Sequence, residues 1–285
     1  MPELPEVQTV VDSLLQAGIT GRRIIKAKVN WSKTIALRTP RSFCDRIKGL
    51  TVTSIRRRGK YIIFDFDAPF CLFIHLRMTG RLLVTTNSRP LSKHVHVVLH
   101  LDDTRCLNFQ DTRKFGRMHL TKDTAGILDR LGPEPLSREF TAEWLRQAML
   151  SSKRIIKPML LDQTVIAGLG NIYVDEALWT AKIHPQRISS TLTDPEIKAL
   201  HRAIRKVLRK GIKNNGTSLG LGKTNFVSAG QRQGRNQLQL NVFRQTHRPC
   251  PRCKDEIKRI IVGQRSTHIC GTCQKKGIEK IAFCP

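Results

Sequence analysis

Acidic side chains are the scarce class in this chain of 285 residues: 22 Asp and Glu stand against 50 Lys and Arg, a formal net charge of +28. Solubility requires far less, and the excess runs through every segment instead of one tail, so it implies a polyanionic partner. Nucleic acid fits that charge better than an anionic membrane surface or a merely basic soluble protein. Long apolar runs are also missing: none reaches transmembrane length, and the first residues carry early acids with no basic, apolar leader. The expectation is a cytoplasmic, DNA-associated protein with no membrane partner. Paired cysteines scattered as in a secreted scaffold are absent too. Four of the eight cysteines form two CxxC pairs near the C-terminus, Cys44, Cys71 and Cys106 are single and read as small buried hydrophobes, and Cys284 has no assigned role.

What is present divides the chain. A length of 285 residues supports two domains with cores. Short runs rich in Val, Ile, Leu and Phe predict strands over 23–29, 51–57, 61–66, 71–76, 82–85, 95–101 and 105–109, separated by punctuators such as Arg58-Gly59-Lys60 and Asp102-Asp103. That spacing is typical of a β-sandwich. Val7, Val10, Val11, Leu14 and Leu15 repeat at helical spacing, with Pro5 tolerated in the first turn, so a helix is expected to cover one edge. Leu131-Gly132-Pro133-Glu134-Pro135 marks a boundary, beyond which helices are predicted over 141–149, 155–164, 172–180 and 194–210. Thr193 with Glu196 fits a capping box before the last of these. The glycine-rich stretch 211–234 is too long for a simple connection and reads as a functional loop, and 237–243 reads as β-like.

Chemistry concentrates first at the N-terminus, Met1-Pro2-Glu3-Leu4-Pro5-Glu6. Methionine preceding a small residue is generally removed, which would leave a free secondary amine on Pro2. An α-amine titrates near pH ~8, against about 10 for a lysine side chain, so much of it is neutral in the cell. Attack of that amine on a sugar aldehyde carbon gives an iminium. Glu3 and Glu6 lie beside it at a helix start, where negative charge is favoured. They suit acid/base work on a glycosidic bond, and they equally suit a plain helix N-terminus.

Several loops carry cations or wedges. Gly59 allows a hairpin turn that projects Lys60 toward a phosphate, although a solvated turn explains the basic run nearly as well. His75 ends a strand and reads as a phosphate contact or an ordinary sheet histidine; Met78 reads locally as core. Asp111-Thr112-Arg113-Lys114-Phe115-Gly116-Arg117 mixes guanidinium groups with an exposed aromatic, the materials for filling a base stack and pairing an orphaned base. Ile166 to Ile172 has Gly168 and Gly170 in a helix-to-helix turn whose free N–H groups, with Asn171 at the next helix start, suit phosphate, or it is a turn alone. Cys250, Cys253, Cys270 and Cys273 suit a tetrahedral Zn²⁺ that stands in for a core the small terminal unit lacks, with a rubredoxin-like iron site as the alternative. Lys258, Arg259 and Arg265 between the pairs can enter a groove or clasp phosphate.

Together these stretches resemble bacterial formamidopyrimidine-DNA glycosylases, over essentially the whole chain. The resemblance implies an α+β protein: an N-terminal β-sandwich with its flanking helix (1–131), a helical helix-two-turns-helix domain with a lesion loop (132–236), and a four-cysteine zinc-finger hairpin (237–285). It implies Pro2 as nucleophile, Glu3 as acid/base, Glu6 as support, and Lys60, His75, Asn171 and Arg265 as a phosphate clamp. Met78, Arg113 and Phe115 match the family's intercalating set. The implied reaction excises 8-oxoguanine and ring-opened purines from double-stranded DNA and cuts the strand by β,δ-elimination, with one structural Zn²⁺ and a monomeric enzyme. Thr217, Ser218, Lys223 and Thr224 fall in the loop that folds over the lesion in this family. There the chain departs from the family pattern, reading Gly220-Leu221-Gly222-Lys223-Thr224-Asn225-Phe226 where an Arg-Asp-Phe arrangement is usual, so the lesion preference stays open. A related class acting on oxidised pyrimidines shares the amine, glutamate and lysine but should lack the Met78/Arg113/Phe115 set. A non-catalytic lesion sensor would have no need of Pro2 and Glu3.

Overall fold

Val7, Val10, Val11 and Leu14 of α1 (Leu4–Gln16) are in the interior as expected, together with Leu4, whereas Leu15 lies on the exposed side. The computed structural model describes residues 1–86, 92–219 and 226–276. After α1 come β1 (Ile24–Val29), β2 (Ile35–Ala36), α2 (Pro40–Ile47), β3 (Val52–Arg58), β4 (Tyr61–Phe66), β5 (Cys71–His75), β6 (Gly80–Thr86), β7 (Val95–Leu101), β8 (Arg105–Asp111) and β9 (Arg117–Thr121). They form a four-stranded sheet in the order β1-β7-β8-β6 and a five-stranded sheet in the order β2-β9-β5-β4-β3. Val97, Leu99, Leu107 and Phe109 of the first sheet share one apolar cluster with Ile62, Phe64, Leu72, Ile74 and Met118 of the second, so the two form a sandwich. Helix α1 packs on β3, the edge strand, and on β4.

Besides the four-residue helix at Ala125–Leu128, three elements were not anticipated. In β9 the inward Met118 and Leu120 alternate with Arg117, His119 and Thr121, a polar half that hides the strand after a basic loop. In α2 only Phe43 and Ile47 are buried, one helical turn apart, and Thr39 caps the helix by accepting from the Ser42 N–H at 3.2 Å. The two-residue β2 lies parallel to β9, a pairing with no local sequence signal.

Strand register gathers three loops at one end of the sandwich. Tyr61 pairs with His75 and His75 with Arg117, while Gly80 pairs with Asp111. The β3–β4 tip, the β5–β6 turn and the β8–β9 loop therefore emerge together.

By backbone contact the chain falls into two compact units, residues 1–130 with 210–238, and residues 131–209 with 239–285. In the second lie α4 (Ala142–Leu150), α5 (Ile156–Leu161), α6 (Asn171–Thr180) and most of α7 (Asp194–Lys213), after a short α3 (Ala125–Leu128) in the first. At the start of α7 the Thr193 N–H donates to the Glu196 carboxylate at 2.8 Å. Arg205 on that helix donates to the carbonyls of Pro135, Leu136 and Ser137, tying down the segment that opens the unit. Helix α5 ends earlier than its apolar pattern suggests because the Asp162 carboxylate captures the Thr164 N–H and hydroxyl, a local alternative to the helix. The antiparallel hairpin β10 (Ile257–Val262) and β11 (Arg265–Cys270) lies between the CxxC pairs and packs through β11 on α6.

The β-like reading of 237–243 is wrong. A short 3-10 turn spans Asn236–Gln239, and the N–H groups of Asn241, Val242 and Phe243 all point at the Glu176 carboxylate at 2.8–3.0 Å. A buried acid on α6 takes the donors that a strand would have offered to a neighbour.

Candidate active site and nucleic-acid interface

Glu3 has extended backbone angles and is the N-cap of α1, while Glu6 completes a capping box by accepting from the Glu3 N–H at 2.9 Å. The second Glu6 oxygen accepts from the Thr217 N–H at 2.7 Å. One carboxylate, 1% exposed, thus joins the start of the chain to residues 211 positions away. Pro2 and Glu3 beside it are buried. Gly216 permits this approach: its φ is +76°, and a Cβ there would come within 3.0 Å of Glu6 Cγ. Thr217 also accepts from Asn236 through its hydroxyl, and Ser218 donates to the Phe226 carbonyl at 2.6 Å and accepts from the Gly234 N–H at 2.9 Å. The expected lesion-loop residue Thr217 is therefore brought to the N-terminal end of α1, with Ser218 next to it in the chain. Lys223, Thr224 and Cys284 lie outside the described residues.

Lys60 does not project from its hairpin as expected. Gly59 takes the left-handed conformation, φ 56°, and Lys60 is only 7% exposed. Arg57 folds back over the turn, donating to the Gly59 carbonyl at 3.1 Å and to Gln8 on α1 at 2.9 Å. His75 lies across the β4–β5 pair, its ring edge-on to Tyr61 at 4.9 Å. Its Nδ1 accepts from the Arg77 N–H at 3.0 Å, which places the ring proton on Nε2. Burial, with Arg77, Lys60 and His119 nearby, pushes its pKa down to about 3. His75 is thus a neutral donor.

Met78 and Phe115 are not core. They are 43% and 46% exposed, and the Arg113 guanidinium sits between them, 3.1 Å from the Met78 sulfur and 4.9 Å from the Phe115 ring centroid. The β5–β6 turn and the β8–β9 loop together present one apolar and cationic tip.

In the second unit, Asn171 is the first residue of α6 with Gly170 as N-cap. The turn before it does not offer free N–H groups at Ala167 and Gly168. Their donors are taken by the Pro133 carbonyl at 3.1 Å and Gln163 Oε1 at 2.9 Å. Asn171 Nδ2 donates to the Ser266 carbonyl at 2.8 Å, beside Arg265, and its Oδ1 is buried without a hydrogen-bond partner. Arg265, Lys258 and Arg259 are exposed on the hairpin, with Arg259 braced on the Ser266 hydroxyl at 2.7 Å.

The sulfurs of Cys250, Cys253, Cys270 and Cys273 all lie within 4.8 Å of one another. Tetrahedral zinc at about 2.3 Å per sulfur needs sulfurs about 3.8 Å apart, so the set can hold a metal ion with little movement. Burial raises the Cys250 thiol, but the backbone N–H groups of Cys253 and Arg252 and the side chain of Trp179 outweigh it and bring its pKa to about 6. The indole N–H of Trp179 is buried with no nitrogen or oxygen acceptor, in one cluster with Cys250 and Cys270. A metal-bound thiolate is the acceptor that such a donor fits. The single cysteines divide: Cys106 is buried, whereas Cys44 and Cys71 are half-exposed, and the Cys71 thiol donates to Asp65 at 3.2 Å.

Residues that the sequence reading missed are mostly buried charges. Lys157 on α5 has no exposed surface and its ammonium reaches Asp175 at 2.6 Å, the Thr267 hydroxyl at 2.7 Å and the Ser266 carbonyl at 3.1 Å. Asp175 also accepts from the His268 N–H at 2.9 Å. This network fixes the hairpin to the helix that carries Asn171. Its only signal in the sequence was a pair of acids, Asp175-Glu176, inside an otherwise apolar helix.

Three family models match in succession: the formamidopyrimidine-DNA glycosylase N-terminal domain over residues 1–118, the formamidopyrimidine-DNA glycosylase H2TH domain over 131–222, and a zinc finger found in FPG and IleRS over 248–276. A formamidopyrimidine-DNA glycosylase from Protochlamydia amoebophila is 47% identical over 97% of this chain and 100% of its own length. A Lactococcus lactis FPG variant in complex with DNA containing Fapy-dG superposes with a TM-score of 0.89 at 39% identity, over 96% of this chain and 100% of that one. MutM in complex with DNA containing carbocyclic 8-oxo-G gives 0.87 at 39% identity with the same coverage. Matched along nearly its whole length by models and relatives alike, the chain belongs to the formamidopyrimidine-DNA glycosylase family.

Proposed function

We propose that this protein is a bifunctional DNA glycosylase and abasic-site lyase that excises 8-oxoguanine and formamidopyrimidines from duplex DNA. The observation that carries the reading is the Glu6 carboxylate, which fixes the Glu3 N–H and the Thr217 N–H at once and so couples the reactive end to the base of the lesion loop. With Met1 removed, the Pro2 nitrogen bonds to C1′ as the damaged base departs, and Glu3 handles the protons of base loss and ring opening. The resulting iminium acidifies the neighbouring sugar carbon. Loss of that proton expels the 3′ phosphate, and a second elimination expels the 5′ phosphate.

The remaining sites serve binding. Lys60, neutral His75, Asn171 and Arg265 hold phosphates, with Lys258 and Arg259 adding charge along the hairpin. Met78, Arg113 and Phe115 fill the gap left by the everted nucleotide, and Thr217, Ser218, Lys223 and Thr224 line the loop over it. Zinc is structural: four thiolates leave no coordination position for water, so the metal supplies folding energy to the hairpin. The working division is 1–131 for chemistry, 132–236 for backbone binding with the lesion loop, and 237–285 for the finger. The enzyme acts as a monomer on bacterial DNA in the cytoplasm.

Borohydride trapping on a duplex with one 8-oxoguanine opposite cytosine, followed by mass mapping of the adduct, tests this. A covalent link at Pro2 is expected. A link at a lysine, or no link with the terminus free and binding retained, would overturn it.

A further inference from the structure

Asp111 ends β8 with no exposed surface, yet its side chain points into two surface loops. One carboxylate oxygen accepts from the Thr79 hydroxyl and from the Arg113 N–H at 3.1 Å; the other accepts from the Gly116 N–H at 2.7 Å. Thr79 follows Met78 directly, and Arg113 and Gly116 bracket the segment that bears Phe115. The backbone of Asp111 is held from behind, its N–H donating to the His94 carbonyl at 2.9 Å and its carbonyl meeting His96 Nε2 at 2.6 Å. A carbonyl only accepts, so Nε2 carries the His96 proton. Gly116 is required for the approach: a Cβ there would lie 2.3 Å from the Phe109 ring and 3.2 Å from the Asp111 carboxylate.

By contrast, the contacts of Arg113 with Met78 and Phe115 are solvent-exposed and belong to long side chains, so they do little to hold the tip in one shape. Hydrogen bonds to an ionised, buried acceptor are roughly twice as strong as neutral ones. A tip that must enter a base stack gains from being ordered beforehand, since whatever is still mobile must be ordered at insertion.

We propose that Asp111 is the positioning residue of the wedge, a single buried carboxylate that locks the Met78 turn and the Arg113–Phe115 loop into one rigid unit. The proposal rests on reading those three side chains as the wedge of a base-excising enzyme. Asp111 touches no DNA; it acts through the residues it holds.

Asp111→Asn is the probe, because the amide keeps one acceptor for Thr79 and Arg113 but turns an N–H donor toward the Gly116 N–H. Single-turnover excision from an 8-oxoguanine duplex should fall about tenfold, the scale of one lost charge-assisted hydrogen bond. A fluorescent base opposite the lesion should report slower insertion in parallel. Borohydride trapping at an abasic site in a single strand, where no stack is opened, should fall several-fold less. In an Arg113→Ala/Phe115→Ala background the same substitution should add less than about a twofold effect, since coupled residues are not additive. Equal losses on both DNA forms, a full further loss in the wedge-less background, or no loss at all would each overturn the role of Asp111. A wild-type protein inactive on the duplex would instead sink the glycosylase reading, and the two failures are therefore distinct.

Discussion

Replacing Glu6 by Gln tests the coupling of the N-terminus to the segment after α7 most directly. The carboxylate is buried and accepts two backbone donors, Glu3 N–H at 2.9 Å and Thr217 N–H at 2.7 Å, on different oxygens. A glutamine fills the same volume but offers one acceptor, so whichever N–H meets the NH₂ group is left without a partner. Hydrogen bonds to charged groups contribute about 1.5–3 kcal/mol and an unsatisfied buried donor costs about 1–3 kcal/mol. A combined loss of about 3 kcal/mol is therefore expected. Where it falls on the reactive arrangement it slows excision by roughly a hundredfold, at about 1.4 kcal/mol per factor of ten. Where it falls on folding it lowers the denaturation midpoint of the protein instead. Single-turnover excision and urea denaturation on the same preparation apportion the two. Glu6→Asp, which keeps the charge but retracts it, should lie between. Wild-type rate together with wild-type stability in Glu6→Gln would refute the argument that this bridge holds the site.

Lys157→Met should destabilise the protein by about 3–5 kcal/mol, because it strands the buried Asp175 carboxylate; denaturation monitored in the second unit checks this, and a change below about 1 kcal/mol would show that the pair is not desolvated as placed. Stripping the metal with a thiol reagent and chelator should shift Trp179 emission to the red in a variant that keeps only this tryptophan, since its buried indole sits against Cys250 and under Arg252 at 4.1 Å; an unmoved spectrum would detach Trp179 from the metal site. His75 has a pKa of about 3 in the fold against an ordinary 6.5, so the unfolded chain binds the extra proton between those values. Stability should be whole above pH 6.5 and fall by about 1.4 kcal/mol per unit as pH drops from there toward 3. His75→Gln should remove that part of the slope, and an identical pH profile for the variant would contradict the half-buried, neutral histidine.

Much of the sandwich was legible because strands buried over most of their length write themselves as short apolar runs between turn residues. The runs over β4, β7 and β8 needed no tertiary knowledge. Strand β9 escaped because only Met118 and Leu120 mark it, and α2 because two buried residues do not make a periodic pattern. The apparent strand at 237–243 failed for a different reason: Glu176, more than sixty positions earlier, collects its donors. Lys60 was read correctly as standing at a hairpin turn, but whether a lysine projects or folds inward is decided by the tertiary surroundings, and here it is buried.

By itself the sequence determined the chemical inventory: an amine beside two carboxylates, four thiols at metal-binding spacing, a surplus of cations and short apolar runs between turn residues. These are properties of residue type and spacing, which survive without coordinates. Tertiary structure decided which of those groups meet. Glu6 reaches Thr217, Asp111 reaches Thr79, and Lys157 joins a helix to the metal hairpin, each across a sequence separation that no local rule spans. Buried polar groups must find partners wherever the fold brings them, and so the pairings belong to the folded chain as a whole.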